Sequence, residues 1–491
     1  MIRIDRFALL MMVLGAMAVA QSNPVPLVSQ PLVPDAAKPG ASAFTLTVHG
    51  SGFIAHSVVK WNGSTRKTHF VSSTVLKAKV PASDVAKAGT ASVTVSNPAP
   101  GGGASEVVYF QIINPAKSVS FNSSTFSTGQ EPYALASGDF NGDGKLDLAV
   151  ANVTGQTVSI LLGKGDGTFQ TQKEYAAGYA PIALAVGDFN GDGKLDLAVA
   201  NGGNKSNGQP GTVTILLGNG KGGFRKGKPF QCGDGPFVIV AGDFNGDGNL
   251  DVAVADYNVS YGNSVAVLLG NGDGTLQSYA SYATGSAPIG LASEDLNGDG
   301  ILDLVTANEL SGSVSVLLGN GDGTFQTHVD YTAGKYPLAV AVADLNRDNK
   351  PDLAVVNLGD STVSVLLGKG DGTFQPHVDY ATGYEPVSIT VADINADNRQ
   401  DLAIVNQGAN TVSILLGKGN GTFKTHADFA AGSSPQGLAI GDFNRDGRLD
   451  LSVVDVFSNV VAVLLQGRAD DPLMHWTHLR PRRAPHRKPF I

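Results

Sequence analysis

Short apolar runs of five to seven residues, rich in Val, Ile, Leu and Ala and parted by Gly, Asn and Asp, fill the chain from about residue 117 to 467. No window shows the 3.6-residue apolar period of an amphipathic helix, so a helical solenoid is excluded. In the second unit the runs are Ile182–Val186, Leu195–Ala200, Thr212–Leu217 and Phe224–Phe230. Such segments, linked by turn residues, predict a four-stranded antiparallel meander. The unit recurs. Asp-Phe-Asn-Gly-Asp-Gly-Lys-Leu-Asp at 139–147 is followed by relatives starting at Asp188, Asp243, Asp295, Asp344, Asp393 and Asp442, at intervals of 49, 55, 52, 49, 49 and 49 residues. Four strands every 40–50 residues predict one β-propeller blade per copy.

The ends of the repeat predict how the ring closes. Phe121–Phe126 and Gly129-x-x-Pro132 match the end of a unit, as in Phe374–Tyr380 and Gly383-x-x-Pro386. The last unit stops at Gly467 without its fourth strand. The strand at 121–126 is therefore expected to complete the last blade, beside the strand ending at Leu465, and so hide two edges.

Each Asp loop reads Asp-x-Asn-x-Asp-(Gly/Asn)-x-x-Asp. Oxygen side chains at positions one, three and five, a turn at six, the carbonyl at seven and a carboxylate at nine are the donors that a hard cation takes. The candidate ligands are Asp139, Asn141, Asp143, Lys145 (carbonyl) and Asp147 in the first loop, and Asp188, Asn190, Asp192, Lys194 and Asp196 in the second. The third offers Asp243, Asn245, Asp247, Asn249 and Asp251, and the fourth Asp295, Asn297, Asp299, Ile301 and Asp303. Then come Asp344, Asn346, Asp348, Lys350 and Asp352, followed by Asp393, Asn395, Asp397, Arg399 and Asp401. Asp442, Asn444, Asp446, Arg448 and Asp450 close the series. Position six needs positive φ and is Gly except for Asn349 and Asn398. The same residues also favour metal-free Asx turns. Three Asp in each of seven loops make 21 of the 43 acidic residues, however, and carboxylates so crowded repel one another without a cation. Calcium at up to seven structural sites is the expectation. Loops five and six depart furthest, with Pro351 and Gln400 in place of Leu at position eight.

These repeats resemble the FG-GAP/VCBS repeats of integrin α-subunit propellers and of many secreted bacterial proteins. The resemblance implies an all-β, seven-bladed propeller over 117–467 whose metal sites stiffen the blades. The Gly163–Gly167 type of loop reads as a hairpin turn, because a phosphate loop would open a helix and here a strand follows.

Residues 25–115 carry no Asp loop. Short alternating strands around Gly50-Ser51-Gly52-Phe53, Trp61 and the Asn62-Gly63 turn predict an immunoglobulin-like sandwich and resemble an IPT/TIG domain, with Trp61 in the core. The resemblance implies a spacer or binding module. Residues 1–20, with Arg3, Arg6, an apolar run and Ala18-Val19-Ala20, read as a signal peptide cut near Ala20, hence a secreted or periplasmic protein. No segment is long enough for a membrane span. Residues 468–491 form a basic Pro- and His-containing tail, expected to be disordered.

Charge and composition then exclude classes. A net charge of −9 argues against a nucleic-acid partner, and the lone Cys232 allows neither a disulfide framework nor a Cys-x-x-Cys zinc site. His328, His377 and His426, 49 residues apart, are one blade position seen three times, and no catalytic motif appears. The function expected is a monomeric adhesion module for a glycan or a cell-surface protein. The alternative is a metal-dependent extracellular polysaccharide hydrolase or lyase built on the propeller. Ligand contacts are expected opposite the Asp loops, where loop length varies, at Tyr257, Tyr261, Tyr179, Tyr336 and Tyr384, with Tyr133 among the blade connections. Tyr179 and Tyr384 have the competing reading of packing between blades.

Overall fold

The computed structural model describes residues 23–34, 36–99, 102–105, 107–203, 208–258 and 262–467. The signal-peptide and basic-tail expectations fall outside them, as does Tyr261. Among the described residues no helix is long and apolar enough to cross a membrane.

The second strand of every unit is buried on both faces. Asp147–Asn152, Asp196–Asn201, Asp303–Asn308, Asp352–Asn357, Asp401–Asn406 and Asp450–Asp455 have no exposed position. A strand covered on both sides reads as a continuous apolar run, which is why Leu-Ala-Val-Ala and its variants fill it. The fourth strands, such as Lys173–Ala176 and Val378–Ala381, are mostly exposed. Each unit is thus one antiparallel sheet. Blade one runs Pro132–Gly138, Asp147–Asn152, Thr157–Leu161 and Lys173–Ala176, in that order.

Seven such sheets stand in a ring, their first strands at the centre and touching first strands of neighbouring blades. Blade seven is completed as the sequence predicts. Phe121–Ser127 pairs antiparallel with Val460–Gln466, from Phe121 opposite Gln466 to Ser127 opposite Val460. Rim aromatics join successive blades edge to face: Tyr175 on Phe224 (5.6 Å), Tyr282 on Phe325 (5.2 Å), Tyr331 on Phe374 (5.4 Å) and Tyr380 on Phe423 (5.3 Å). Phe121 on Phe429 and Phe126 on Phe169 continue the series through the completed blade. Each contact contributes about 0.5–1.5 kcal/mol beyond its buried area.

Buried amide side chains shape the blade connections. Asn152 Nδ2 donates to Thr157 Oγ1 (3.0 Å) and Ser159 Oγ (2.9 Å), and Asn357 and Asn406 repeat the pattern. The glycine of the Gly-x-x-Pro connection presses on this amide in five blades, and on Asp256 or Asp455 at the same place in the other two. A Cβ on Gly129 would lie 2.5 Å from Asn152 Nδ2, so only glycine fits.

The N-terminal domain is a sandwich of two sheets. Leu27–Val33, Phe44–Ser51, Val75–Val80 and Thr68–Phe70 form one sheet, while Val108–Ile112, Gly89–Asn97 and Val58–Trp61 centre the other. Trp61 (1% exposed) lies 4.9 Å from Phe110 in the core, as expected. Asn62 and Gly63, both at positive φ, make the two-residue hairpin joining Val58–Trp61 to Ser64–Thr65.

Removing residues 117–128 strips the clasp from blade seven and exposes the edge of Val460–Gln466. The truncated protein is expected to melt at least several degrees lower and to scatter light on warming, read by calorimetry and light scattering. An unchanged melting curve would refute the clasp.

Candidate metal loops and the two faces of the disc

Each Asp loop wraps around its own first carboxylate. In loop one, Asp139 accepts the N–H groups of Gly142, Asp143 and Gly144, Asn141 accepts that of Asp143 (2.8 Å), and Asp143 accepts that of Lys145 (3.0 Å). Loops four and five repeat these bonds nearly one for one. Position six takes positive φ in every loop, from 61° at Asn398 to 90° at Gly447, as its residue types predict. Position four does so too: it is glycine in loops one to four, while Arg347, Ala396 and Arg445 hold φ of 68°, 59° and 61° in the last three.

The loops draw side-chain oxygens at positions one, three and five inward, and local donors meet the outer oxygen of position five. Lys145, Lys194 and Arg448 reach Asp143, Asp192 and Asp446 at 3.1, 2.8 and 3.1 Å, while Asn245 and Asn297 turn their amides to Asp247 and Asp299. Asp397 Oδ1 in loop six is buried without a hydrogen-bond partner. Among the described residues no group of three or more His, Cys, Asp or Glu could hold a metal by itself. The donor set is mixed instead: two carboxylates, an amide oxygen and a carbonyl. Hard oxygen donors and an orphaned buried carboxylate oxygen fit calcium.

The ninth position does more than the sequence indicated. Asp147 is fully buried, accepting the N–H of Phe140 (3.0 Å) on one oxygen and that of Gly163 (2.7 Å) on the other. Asp196, Asp251, Asp303, Asp352, Asp401 and Asp450 repeat the second bond, to Gly218, Gly270, Gly319, Gly368, Gly417 and Gln466. This carboxylate stitches the Asp loop to the hairpin between third and fourth strands. Burial pushes Asp147, Asp196, Asp303 and Asp352 up to about 7, and Asp251 and Asp450 to about 8. Backbone donors oppose the rise, and the carboxylates at positions one and five add to it.

The sandwich lies on the face that carries these loops. Ser73 Oγ donates to Gly300 O (3.0 Å), Gln111 Nε2 to Asp393 O (2.6 Å) and Ala116 N to Asn395 O (2.8 Å), while Thr90 donates to the Asp442 carboxylate. A Cβ on Gly248 would fall 2.4 Å from Pro24 Cβ. Loops three, four, six and seven therefore meet the sandwich, a contact between dissimilar domains that no repeat pattern announces.

The opposite face carries the turns between second and third strands and the blade connections. Tyr179, Tyr336 and Tyr384 are 37%, 38% and 62% exposed there, with Leu310 and Phe457 exposed on neighbouring turns. Lys335 Nζ lies 5.1 Å over the Tyr336 ring. The residue before the connecting proline is left-handed in six of the seven connections, among them Tyr336 (φ 55°) and Glu385 (φ 54°). Tyr257 is half-buried, 5.9 Å from Phe237. Tyr133 belongs to the first strand of blade one and meets Phe237 of blade three at 5.8 Å, which places the pair at the centre of the ring and corrects its assignment to a connection. Burial pushes its hydroxyl to about 12.

On the rim, Ser364 Oγ and Ser413 Oγ each donate to an Asp (Asp379 and Asp428, 2.6 Å), which also meets His377 or His426 Nδ1 at 2.8 Å. A nucleophilic serine would bond the imidazole and face solvent. These serines are 0% exposed and donate to the acid at 2.6 Å, with His426 Nδ1 farther from Ser413 Oγ at 3.5 Å, so the cluster ties the third strand to the fourth.

Blades of four strands, each opening on one acidic loop, define a repeat propeller carrying a sandwich. Residues 139–199, 200–254, 253–306, 295–355, 348–404 and 393–453 match the FG-GAP-like repeat, and the chain belongs to that family. Residues 31–112 match the IPT/TIG domain. No curated protein matches the chain. Similar solved structures include a periplasmic gluconolactonase from Pseudomonas aeruginosa (16% identity, 72% of this chain and 99% of that one, TM-score 0.48). Others are an auxiliary nutrient binding protein from Bacteroides ovatus (11%, 90% and 98%, TM-score 0.38) and a functionally unknown protein from Desulfotomaculum acetoxidans (14%, 69% and 96%, TM-score 0.44).

The six ninth-position carboxyls that burial raises bind protons more tightly folded than unfolded, so between about pH 4 and 8 they hold more protons in the metal-free fold than in the unfolded chain. Their contribution to stability is present at low pH and is lost as the pH rises through 7 to 8. Chelator-treated protein is therefore expected to melt higher at pH 5 than at pH 8 in calorimetry. A melting temperature that climbs across that range would contradict these shifts.

Proposed function

We propose that the protein is an exported, calcium-stabilised binding module whose blade-connection face takes a glycan on a cell surface. The observation that carries the reading is the division of the disc. One face is occupied by the acidic loops and the sandwich, while the other presents Tyr179, Tyr336 and Tyr384 on a rigid ring. Exposed aromatic rings suit the apolar faces of sugars, and Tyr gives large amphipathic contact at small entropic cost. Left-handed backbone before six of the seven connecting prolines fixes these positions, and such recurrent outliers mark sites held for a purpose. Buried serines bonded to Asp379 and Asp428 on the rim support binding over turnover.

In each loop the carboxylates at positions one and five, the amide oxygen at three and the carbonyl at seven would hold calcium, with the ninth carboxylate beside them. The bound ion would supply the positive charge that lets crowded carboxylates stay ionised. Because the loops are formed only in the folded chain, calcium stabilises by mass action, about 2.7 kcal/mol per site at a hundredfold excess over its dissociation constant.

Millimolar calcium is expected to raise the melting temperature by many degrees over chelator, more at pH 8 than at pH 5. Equal melting curves would remove calcium from the proposal.

On a glycan array with calcium, Tyr384→Ala and Tyr336→Ala are expected to weaken binding about tenfold or more at unchanged melting temperature. Retained binding by both, with loss on sandwich substitutions, would move the site to residues 25–115. Release of cut sugar would establish the hydrolase or lyase.

A further inference from the structure

Seven copies of one unit make each blade a control for the others. In regular blades the leucine at loop position eight caps the last residue of the preceding blade's first strand. A Cβ on Gly187 would come within 2.4 Å of Leu250 Cδ1, and one on Gly242 within 2.6 Å of Leu302 Cδ1. Between blades four and five both partners are changed: Glu294 stands where blades one, two, three and seven have glycine, and Pro351 stands where the leucine should be. Between blades five and six the leucine is Gln400. Arg347 replaces a loop glycine at left-handed φ of 68°, as Ala396 and Arg445 do in loops six and seven, a strain that glycine would not carry.

These departures converge. A cavity of about 330 Å³ lies where the leucine plug is missing, bounded by Leu32 and His49 of the sandwich, Glu294 of blade four, and Arg347, Lys350 and Pro351 of loop five. Leu32 is 2% exposed, whereas Arg347 and Lys350 are exposed. The cavity therefore has an apolar floor, two acids (Glu294 and Asp344 of loop five) and an imidazole on its walls, and two cations at its lip. The repeat fold has no use for these polar groups, because five other loops keep the leucine.

We propose that this interdomain cavity is a binding site for a small organic acid bearing a hydrogen-bond donor at its far end. The carboxylate pairs with Arg347 and Lys350, and an ammonium or hydroxyl group donates to Glu294 and His49. The volume is at the small end of ligand pockets, the size of a single amino acid or sugar acid. The site is separate from the aromatic face and stands whether or not that face binds glycans.

Titration calorimetry on the full, calcium-supplemented protein tests it in two arms. One uses the common L-amino acids, the other glucuronate, galacturonate and mannuronate. Binding in one arm is expected, with the matching methyl ester at least about tenfold weaker, as for loss of a charged hydrogen bond. Glu294→Gly, Pro351→Leu and Arg347→Gly restore the repeat's own residues, and each is expected to weaken binding about tenfold without lowering the melting temperature. Arg347 is exposed, so its variant decides the matter if the half-buried substitutions at Glu294 and Pro351 disturb folding. No binding in either arm at millimolar acid, or full binding by the variants, overturns the proposal.

Discussion

A buried carboxylate at the ninth position of each acidic loop is the bond on which the blades depend. It opens the second strand, the most deeply buried of the four, and anchors two loops through backbone donors. The carbonyl beside one of those donors then accepts the N–H of a glycine in the next blade: Gly222 to Phe140, Gly274 to Phe189, Gly323 to Phe244. One side chain thus organises its own blade and, one residue away, the joint to its neighbour. A buried carboxylate without such donors would be costly, and a buried pair of N–H groups without the carboxylate would be costly as well. The two costs cancel within each folded blade.

Charge is what makes the arrangement conditional. The stitching carboxylate shares its loop with two further Asp residues, so satisfying backbone donors gathers negative charge at every blade on one face. The chain meets this locally with Lys145, Lys194 and Arg448, and with amides where no cation is near. From the sandwich Thr90 donates to the Asp442 carboxylate, while Ser73 and Gln111 donate to main-chain carbonyls of loops four and six. The domain that looks like a spacer in sequence is therefore part of how the acidic face is satisfied.

Much of this was legible in the sequence because repetition multiplies a weak signal. Seven registers of one motif indicated blades, the positive φ at position six, and the strand borrowed from the start of the propeller. Trp61 and the Asn62-Gly63 turn followed from local chemistry alone. What stayed hidden was long-range. Nothing in Asp147 distinguishes an ion ligand from a backbone clamp, since both need an acid at that place. Tyr133 looked like a connection residue because its contact with Phe237 crosses a whole blade. The seat of the sandwich depends on single residues, Thr90, Gln111 and Pro24, that belong to no repeat.

The clasp sets the order in which this molecule can form. Phe121–Ser127 is made before any of the seven repeats, and its partner, Val460–Gln466, is made after all of them. Until the last strand arrives, the first has no mate, and the ring is an open arc with an unpaired edge at each end. Such distant pairing is slow, and waiting edges invite association with other chains. The sandwich, finished early, can hold the loop face of the growing arc while the rest is synthesised. Closure is then a single late event, and a chain halted one blade short would remain an open, sticky crescent.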